Sequence, residues 1–340
     1  MTDSKVVTKE ELVTLLRQQL RSAGIPHSHV GLPRDIAFSS RDGVLKTRVL
    51  DPSGNMQSNS SAFEAWTTVL KAWLPHLAGK VELSCSLPLN YSVGSKGRSE
   101  ACHVNRFLYR AGNFLRLYPE WFRLEERLQE KVNEFMLWLR QGPCYLNQPL
   151  GERKQSHDTE KRERRVEYWL RFGEDGRTLL SSHCSLDRDK IFNQLPVGVF
   201  RETIEQRTAI FTGSAAAIDL WGVGSDGKTL HIIELKSGKN VNVGVISEIL
   251  FYTFVIYDTC VAKNTLFQFG RYRKSPETSD MTVIQNGGLG FEHLHSHVLG
   301  ESFHPLFSDQ VVTLLDAALS RLGIRFSRAR YDYDRRILPA

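Results

Sequence analysis

The ionisable residues best placed for chemistry are Asp219, in the apolar run AAIDLWGV, and Glu234 with Lys236, in the apolar run HIIELK. Both runs have the composition of strands, and the Gly-containing segment between them predicts a turn. Because side chains alternate along a strand, Glu234 and Lys236 point to the same face. The 15 residues from Asp219 to Glu234 allow two antiparallel strands with the two carboxylates side by side.

Such a group matches the requirements of phosphodiester hydrolysis. Carboxylates hold a divalent cation, and a nearby lysine can orient or activate the attacking water. An unpaired charge among apolar side chains costs on the order of several kcal/mol, so a chain that keeps three of them there is expected to use them. The alternative interpretation is a pair of edge strands with a structural ion pair around Glu234 and Lys236.

The next segment, residues 241–258, has helical periodicity. It places Glu248 and Tyr252 four residues apart and therefore on one face of the predicted helix. Both side chains are expected to overlook the end of the Glu234 strand. The alternative is a helix whose polar side faces solvent, which the apolar surroundings ILFYTFVIY disfavour.

Ile218-Asp219, followed after 15 residues by Glu234-Leu235-Lys236 and then by a helix, resembles the PD-(D/E)XK, or restriction-endonuclease-like, nuclease superfamily. The resemblance implies an αβββαβ core, a mixed sheet flanked by helices. It also implies that the aspartate and glutamate bind Mg²⁺ or Mn²⁺ and that the lysine assists the attacking water. Ile218 stands where the family's name has proline.

The same resemblance extends to the helix. Glu248 and Tyr252 are similar to the Gln-xxx-Tyr motif of the RecB-like branch, with glutamate in place of glutamine, which makes Glu248 a third candidate metal ligand. Family members often carry another acidic residue on a helix before the first strand. The candidates are Glu167, Asp187 and Asp189, and Asp189 is preferred because DRDKIFNQLP is interpreted as a helix that leads into the strands.

The resemblance predicts a divalent-metal-dependent deoxyribonuclease. It favours DNA over RNA as the substrate, and it favours bacterial defence or DNA repair as the biological setting. Two alternatives remain open. One is a non-catalytic nucleic-acid-binding or scaffold subunit that uses the nuclease fold. The other is an RNA-cutting effector gated by a partner or ligand.

Basic residues in polar segments are candidate nucleic-acid contacts, consistent with the formal net charge of +6. Two lie in the loop NYSVGSKGRSEA, and most of the others lie in the highly charged segment 151–165, interpreted as a solvated linker or a phosphate-binding surface. The candidate contacts are Lys96, Arg98, Arg162, Arg164, Arg165 and Lys239.

Two further patterns suggest other chemistry. Three alternating histidines on one predicted strand, with a fourth nearby, are a possible zinc site, although packing or surface positions are the commoner explanation. Gly222, Gly224 and Gly227 resemble a nucleotide-binding loop, but they join two strands and do not open a helix. The histidines are His293, His295, His297 and His304.

The elements around these residues suggest an α+β N-terminal domain, residues 1–150, for recognition or partner binding, and an α/β nuclease domain, residues 151–340. Strands are also predicted over 81–87, 202–214, 216–223, 229–236, 260–269 and 290–300. The other predicted elements are helices over 8–23, 62–77, 103–140 (interrupted near Pro119) and 308–323, and a hairpin over 35–50.

Composition places the chain among ordinary globular proteins, with 340 residues, 41% hydrophobic and 24% charged. No run of about eighteen apolar residues and no signal-peptide pattern is present, so a cytoplasmic protein is expected. The five cysteines are scattered without a CxxC pair, which argues against a disulfide framework or a zinc ribbon.

Overall fold

The structure is a computed structural model of the whole chain. It describes residues 6–28, 30–54, 56, 61–147, 161–211, 216–238, 242–270, 283–284 and 290–338. Residues 151–160 of the charged segment and the predicted contact Lys239 lie outside the described residues. No helix in the described part of the chain is both long enough and apolar enough to cross a membrane.

The protein has a mixed α/β architecture. Its α-helices in the described ranges are α1 (Lys9–Ser22), α2 (Phe63–Trp73), α3 (Ser99–Leu117), α4 (Glu126–Arg140), α5 (Arg162–Phe172), α6 (Glu174–Cys184), α7 (Val245–Ile256) and α8 (Asp309–Ser320). Its first six strands are β1 (Ile36–Arg41), β2 (Val44–Val49), β3 (Lys80–Cys85), β4 (Phe122–Leu124), β5 (Cys144–Leu146) and β6 (Leu186–Pro196). The later strands are β7 (Val199–Arg201), β8 (Ala217–Gly224), β9 (Thr229–Lys236), β10 (Gln268–Phe269), β11 (His293–Gly300) and β12 (Ile324–Arg330).

The chain forms two compact units that interleave in sequence. The first unit contains Met1–Gln141, Asn242–Glu248 and His304–Ala318. The second unit consists of Gly142–Val241, Ile249–Phe303 and Leu319–Ala340. A single boundary near residue 150 therefore does not describe how the two units divide the chain.

The first unit is built on a four-stranded sheet in the order β1-β2-β3-β4. The predicted hairpin is confirmed as the antiparallel pair β1 and β2. Helix α1 starts with the predicted capping box, in which Thr8 Oγ1 accepts the Glu11 N–H and Glu11 Oε2 accepts the Thr8 N–H at 2.8 Å. Its leucine stripe is buried, as an amphipathic helix requires.

A buried ion pair lies between α2 and α3 in this unit. The Arg110 Nε donates to Glu64 Oε1 at 2.7 Å, and Arg110 Nη2 donates to Glu64 Oε2 and to the Ser61 carbonyl. Ser247 Oγ also donates to Glu64 Oε2, at 2.9 Å. Both charged side chains are only 2% exposed, so the hydrogen bonds replace the water that burial removes.

The second unit is built on a five-stranded mixed sheet in the order β12-β11-β9-β8-β6. Strand β8 runs antiparallel to both β6 and β9, whereas β11 runs parallel to both β9 and β12. A separate three-stranded sheet has the order β10-β5-β7. The predicted strands over 216–223, 229–236 and 290–300 are confirmed as β8, β9 and β11.

Side-chain alternation gives the five-stranded sheet two different faces. Ile233 and Leu235 of β9 belong to a core that includes Val166 of α5 and Leu180 of α6. On the other face, Thr253 of α7 forms a 2.7 Å hydroxyl hydrogen bond with Ser296 of β11, which lies opposite Ile232. Helices therefore cover both faces of the sheet.

Three predicted elements are wrong in whole or in part. The predicted strand over 260–269 begins within a π-helical turn, Tyr257–Val261, and only Gln268–Phe269 is a strand. The predicted helix at DRDKIFNQLP is strand β6, which pairs with β8 and stacks Phe192 on Trp221 at 4.5 Å. A register shift between Leu186 and Ile191 interrupts its alternation, so the strand period is hidden in the sequence. The predicted strand over 202–214 contains a short 3₁₀ turn, Gln206–Thr208.

Candidate active site

The hairpin of β8 and β9 positions the predicted acidic residues. Leu220 lies opposite Ile233 in an antiparallel register. The Asp226 Oδ1 closes the turn by accepting the backbone N–H of Thr229 at 3.0 Å, and Gly227 takes a φ of +71° that glycine adopts most easily. The glycines join two strands here, as predicted, and no helix follows them.

Asp219, Glu234 and Lys236 come together at one end of this hairpin. Asp219 Oδ2 accepts the backbone N–H of Leu235 at 2.8 Å, and Leu235 lies between the other two residues. Lys236 Nζ donates to Glu234 Oε1 at 2.6 Å, which places both side chains on the same face. Glu234 is buried, with 3% of its surface exposed, and Lys236 is half-buried.

The environment of Asp219 disfavours an isolated negative charge. The residue keeps partial contact with solvent, yet its carboxyl is surrounded by protein atoms. Desolvation raises the pKa of Asp219 to about 8, while the Lys236 charge and the Leu235 N–H oppose the rise. The carboxylates of Glu163 and Glu167 add to the rise. A bound cation would favour the ionised form of such a carboxyl.

Helix α5 supplies these two further carboxylates. Glu167 is 3% exposed, and its Oε1 accepts hydrogen bonds from Asn193 Nδ2 at 2.8 Å and Gln194 Nε2 at 3.1 Å. Glu163 Oε2 accepts the Ser237 N–H at 3.3 Å. Sequence reasoning named Glu167 among three candidates and missed Glu163. The sequence could have indicated Glu163, because residues four apart in a helix lie on the same face and Glu163 precedes Glu167 by four.

The preference for Asp189 rested on a helix that does not exist. Asp189 lies in strand β6, its side chain is 92% exposed, and its carboxylate accepts a hydrogen bond from Arg177 at 3.1 Å. Asp187 lies in the same strand and pairs with Lys190 at 2.9 Å. The structure therefore favours Glu167 over both aspartates as the acidic residue that accompanies Asp219.

An ion-pair network fixes the position of α5. Arg162, the first residue of α5, makes a bidentate contact with Glu301, in which Nη2 donates to Oε1 at 2.6 Å and Nε donates to Oε2 at 3.0 Å, and Nη2 also donates to Asp334 Oδ2 at 2.8 Å. Glu301 Oε2 also accepts the N–H of Gly238, just after β9. The guanidinium of Arg162 is thus engaged by two carboxylates and joins the first residue of α5 to them.

The helix predicted after β9 is confirmed as α7, and both of its candidate residues are buried. Glu248 and Tyr252 are each 2% exposed, and their spacing of four puts them on one face. Glu248 belongs to the first compact unit and Tyr252 to the second. Their participation in the site stays a prediction.

The other candidate nucleic-acid contacts fall in both units. Lys96 and Arg98 are exposed and line a cavity of about 510 Å³ in the first unit, beside Glu100. Arg164 and Arg165 are exposed on α5, the helix that carries the two acidic residues. Contact of these four residues with nucleic acid stays a prediction.

The donor set suits a hard divalent cation. Mg²⁺ and Mn²⁺ prefer carboxylate oxygens, and this cluster draws them from β8, β9 and α5. Glu163, Glu167 and Lys236 act electrostatically on Asp219, and Lys236 also holds Glu234. A bound cation would add positive charge beside these four carboxyl groups.

The predicted histidine site divides between the units. His304 lies in the first unit, where its Nδ1 accepts the Leu306 N–H at 3.1 Å and its ring contacts Trp66. His295 and His297 lie in the second unit and gather with His231 of β9, a residue that the sequence pattern did not include.

No family model, no curated protein and no solved structure matches the chain. A function can therefore be argued only from the geometry of the residues described above.

Proposed function

We propose that the second unit is a divalent-metal-dependent nuclease that hydrolyses phosphodiester bonds, with DNA as its substrate class. The observation that carries the proposal is the convergence of Asp219, Glu234 and Lys236, through the 2.8 Å bond to Leu235 N–H and the 2.6 Å ion pair. The element order supports the proposal. Helices α5 and α6 precede three antiparallel strands, and α7 and the parallel strand β11 follow, as in an αβββαβ core.

Each residue of the cluster has a defined part in this proposal. Asp219 and Glu234 hold the cation, and Glu167 and Glu163 complete the negative cluster around it. The hydrogen bonds from Asn193 and Gln194 orient Glu167. When bound, Mg²⁺ or Mn²⁺ would neutralise the phosphate and lower the pKa of a coordinated water.

Lys236 orients the attacking water. An ammonium group has three N–H donors, so Lys236 can hold Glu234 and direct another donor towards water or a phosphate oxygen. The Tyr331 hydroxyl donates to the Lys236 carbonyl at 3.1 Å and so restrains the end of β9. We choose DNA over RNA because the nuclease superfamily that the sequence resembles acts mostly on DNA. Arg164 and Arg165 are exposed for contact with its phosphates.

The first experiment measures nicking of supercoiled plasmid by the full chain with Mg²⁺ or Mn²⁺. Lys236→Met is expected to lower the rate by about 10²–10⁴-fold, the range for removal of a group that manages the attacking water. Asp219→Asn and Glu234→Gln are expected to abolish cleavage while circular dichroism shows an intact fold. Lys228→Met is the matched control, because Lys228 is an exposed lysine of the same hairpin, paired with Glu292.

A second pair of variants tests the upstream acid. Glu167→Gln is expected to reduce cleavage, whereas Asp189→Asn is expected to leave it unchanged, because Asp189 is exposed and paired with Arg177. Equal effects of the two changes would contradict the assignment of Glu167. Full activity of Lys236→Met together with Asp219→Asn would overturn the nuclease proposal itself.

The same variants distinguish the competing functions. A scaffold subunit would bind nucleic acid without cleaving it, and its Mn²⁺ affinity would not depend on Glu234. An RNA-cutting effector would cleave single-stranded RNA in preference to duplex DNA, with the same dependence on Lys236. Parallel assays with both substrates therefore separate the three possibilities.

A further inference from the structure

Three histidines gather on the sheet face opposite Glu234 and Lys236. His231 of β9 lies directly opposite His295 of β11 in the parallel register, and His297 follows His295 on the same face. Side chains alternate along β9, so His231 and Glu234, three residues apart, point to opposite faces. The histidine cluster is therefore separate from the carboxylate cluster, and its chemistry does not depend on nuclease activity.

The ligand atoms of the three histidines already converge. One nitrogen from each ring lies within 4.8 Å of the other two. His231 Nδ1 and His297 Nε2 are 3.0 Å apart and share a hydrogen bond. Tetrahedral Zn²⁺ with Zn–N bonds near 2.0–2.1 Å separates its nitrogens by about 3.3 Å. A metal ion would therefore need only small side-chain movements at this pair.

A serine fixes the ring of His297. Its Nδ1 lies 2.8 Å from Ser327 Oγ, on the neighbouring strand β12. When Nδ1 donates to this hydroxyl, Nε2 carries the lone pair and points towards His231. Metal-binding histidines have such an outer partner on the second ring nitrogen, which sets the tautomer.

Asp226 and His231 border the same glycine. A Cβ placed on Gly224 would lie 2.8 Å from Asp226 Oδ1 and 3.2 Å from His231 Nε2. When the ring proton of His231 moves from Nδ1 to Nε2, Nδ1 becomes a ligand atom and the ring stays neutral.

The cluster opens onto a cavity. A space of about 480 Å³ is lined by His231 and His295, and also by Asp226 and His293. His297 lies behind them, 2% exposed. A metal ion thus has an entry path and a coordination position that faces the cavity.

We infer that His231, His295 and His297 form a binding site for a borderline divalent transition metal, with Zn²⁺ the best match and a fourth position open to the cavity. Imidazole nitrogens select zinc and its neighbours over Mg²⁺, which prefers oxygen. A histidine cluster that serves only packing needs neither an outer hydrogen-bond partner on the innermost ring nor an opening towards solvent.

The test uses the full chain, stripped of metal with a chelator and titrated with Zn²⁺, and with Co²⁺ as a spectroscopic probe. About one ion per chain is expected to bind in the presence of excess Mg²⁺. The Co²⁺ complex is expected to show the visible absorption of a tetrahedral site with nitrogen ligands. Glu234→Gln is expected to leave this binding unchanged, because Glu234 lies on the other face.

Substitutions along β11 give a matched comparison. His295→Gln and His231→Gln are each expected to weaken Zn²⁺ binding by more than about 100-fold, whereas His293→Gln, two residues away on the same face, is expected to keep it within a few-fold. Ser327→Ala is expected to cost about 10–100-fold, the range for loss of an outer partner. His295 is only partly buried, so its variant is the one expected to fold normally.

Two results would overturn the inference. One is the absence of saturable Zn²⁺ or Co²⁺ binding in the folded wild-type chain. The other is binding that His295→Gln and His231→Gln leave unchanged, since the ion would then lie elsewhere. Binding lost in Glu234→Gln but kept in His295→Gln would assign the ion to the carboxylate cluster instead.

Discussion

The buried ion pair of Glu64 and Arg110 permits a sharp stability prediction. Arg110→Met removes the two-pronged contact but keeps the Ser247 hydroxyl, a neutral donor, on the Glu64 carboxylate, which is 2% exposed. Loss of one partner from a buried pair costs about 3–5 kcal/mol, because the other charge stays desolvated. The variant also lacks the 2.7 Å hydrogen bond from Arg110 Nη2 to the Ser61 carbonyl, so the expected cost lies at the upper end of this range.

The double variant Glu64→Leu/Arg110→Met is expected to be far more stable than the sum of its single changes. Replacing both charges with apolar groups removes the desolvation penalty as well as the attraction, so the double variant should lie within about 2 kcal/mol of the wild type. The coupling energy of the cycle should then exceed about 3 kcal/mol. Equilibrium unfolding in urea, followed by tryptophan fluorescence, measures each free energy.

An exposed pair supplies the control. Lys131 and Glu134 of α4 are 2.7 Å apart but 44% and 53% exposed. Glu134→Gln is therefore expected to cost less than about 1 kcal/mol. If Arg110→Met costs no more than Glu134→Gln, the reasoning from burial is refuted.

The remaining predictions concern backbone fit, thiol reactivity and pH. Gly222→Ala is expected to destabilise the protein by about 1–3 kcal/mol, because the new methyl group would lie 2.7 Å from a carbonyl of β6, whereas Gly31→Ala, with open space around it, should stay within about 0.5 kcal/mol in the same urea assay. Burial raises the pKa of the Cys184 thiol to about 12, so mass spectrometry after maleimide treatment at pH 8 should find Cys184 unmodified until urea unfolds the chain. Burial lowers the pKa of His304 from 6.5 to about 4, so the unfolded chain takes up a proton first. Its contribution to stability is complete above about pH 6.5 and is lost as the pH falls towards 4, so His304→Gln should make the urea midpoint fall less steeply over that range.

Local patterns predicted much of the fold. The capping box at Thr8 and Glu11 marked the start of α1, and alternation around short turns marked the hairpins of β1 with β2 and β8 with β9. The proximity of Asp219, Glu234 and Lys236 was predictable for the same reason, because a hairpin brings residues that are distant along the chain close together.

The parts that failed depend on contacts distant in sequence. Strand β6 gains its conformation from pairing with β8, and its register shift hides the alternation that would have identified it. Glu163 and Glu167 lie more than fifty residues before Asp219, and only the packing of α5 against the sheet brings them close to it. His231 joined the histidine cluster through the parallel pairing of β9 with β11, a register that neither strand specifies alone.

The interleaving of the two units limits how this protein can be divided or recombined. The chain passes between them five times, and two short stretches, Asn242–Glu248 and His304–Ala318, belong with residues far earlier in sequence. A fragment that starts near residue 150 would contain both stretches but would lack the rest of the first unit. Groups such as Ser247 would then lose their buried partner Glu64. The second unit therefore cannot be transferred to another protein as one continuous segment. Because one cut cannot separate the two units, a recombination event at a single site would disrupt both of them.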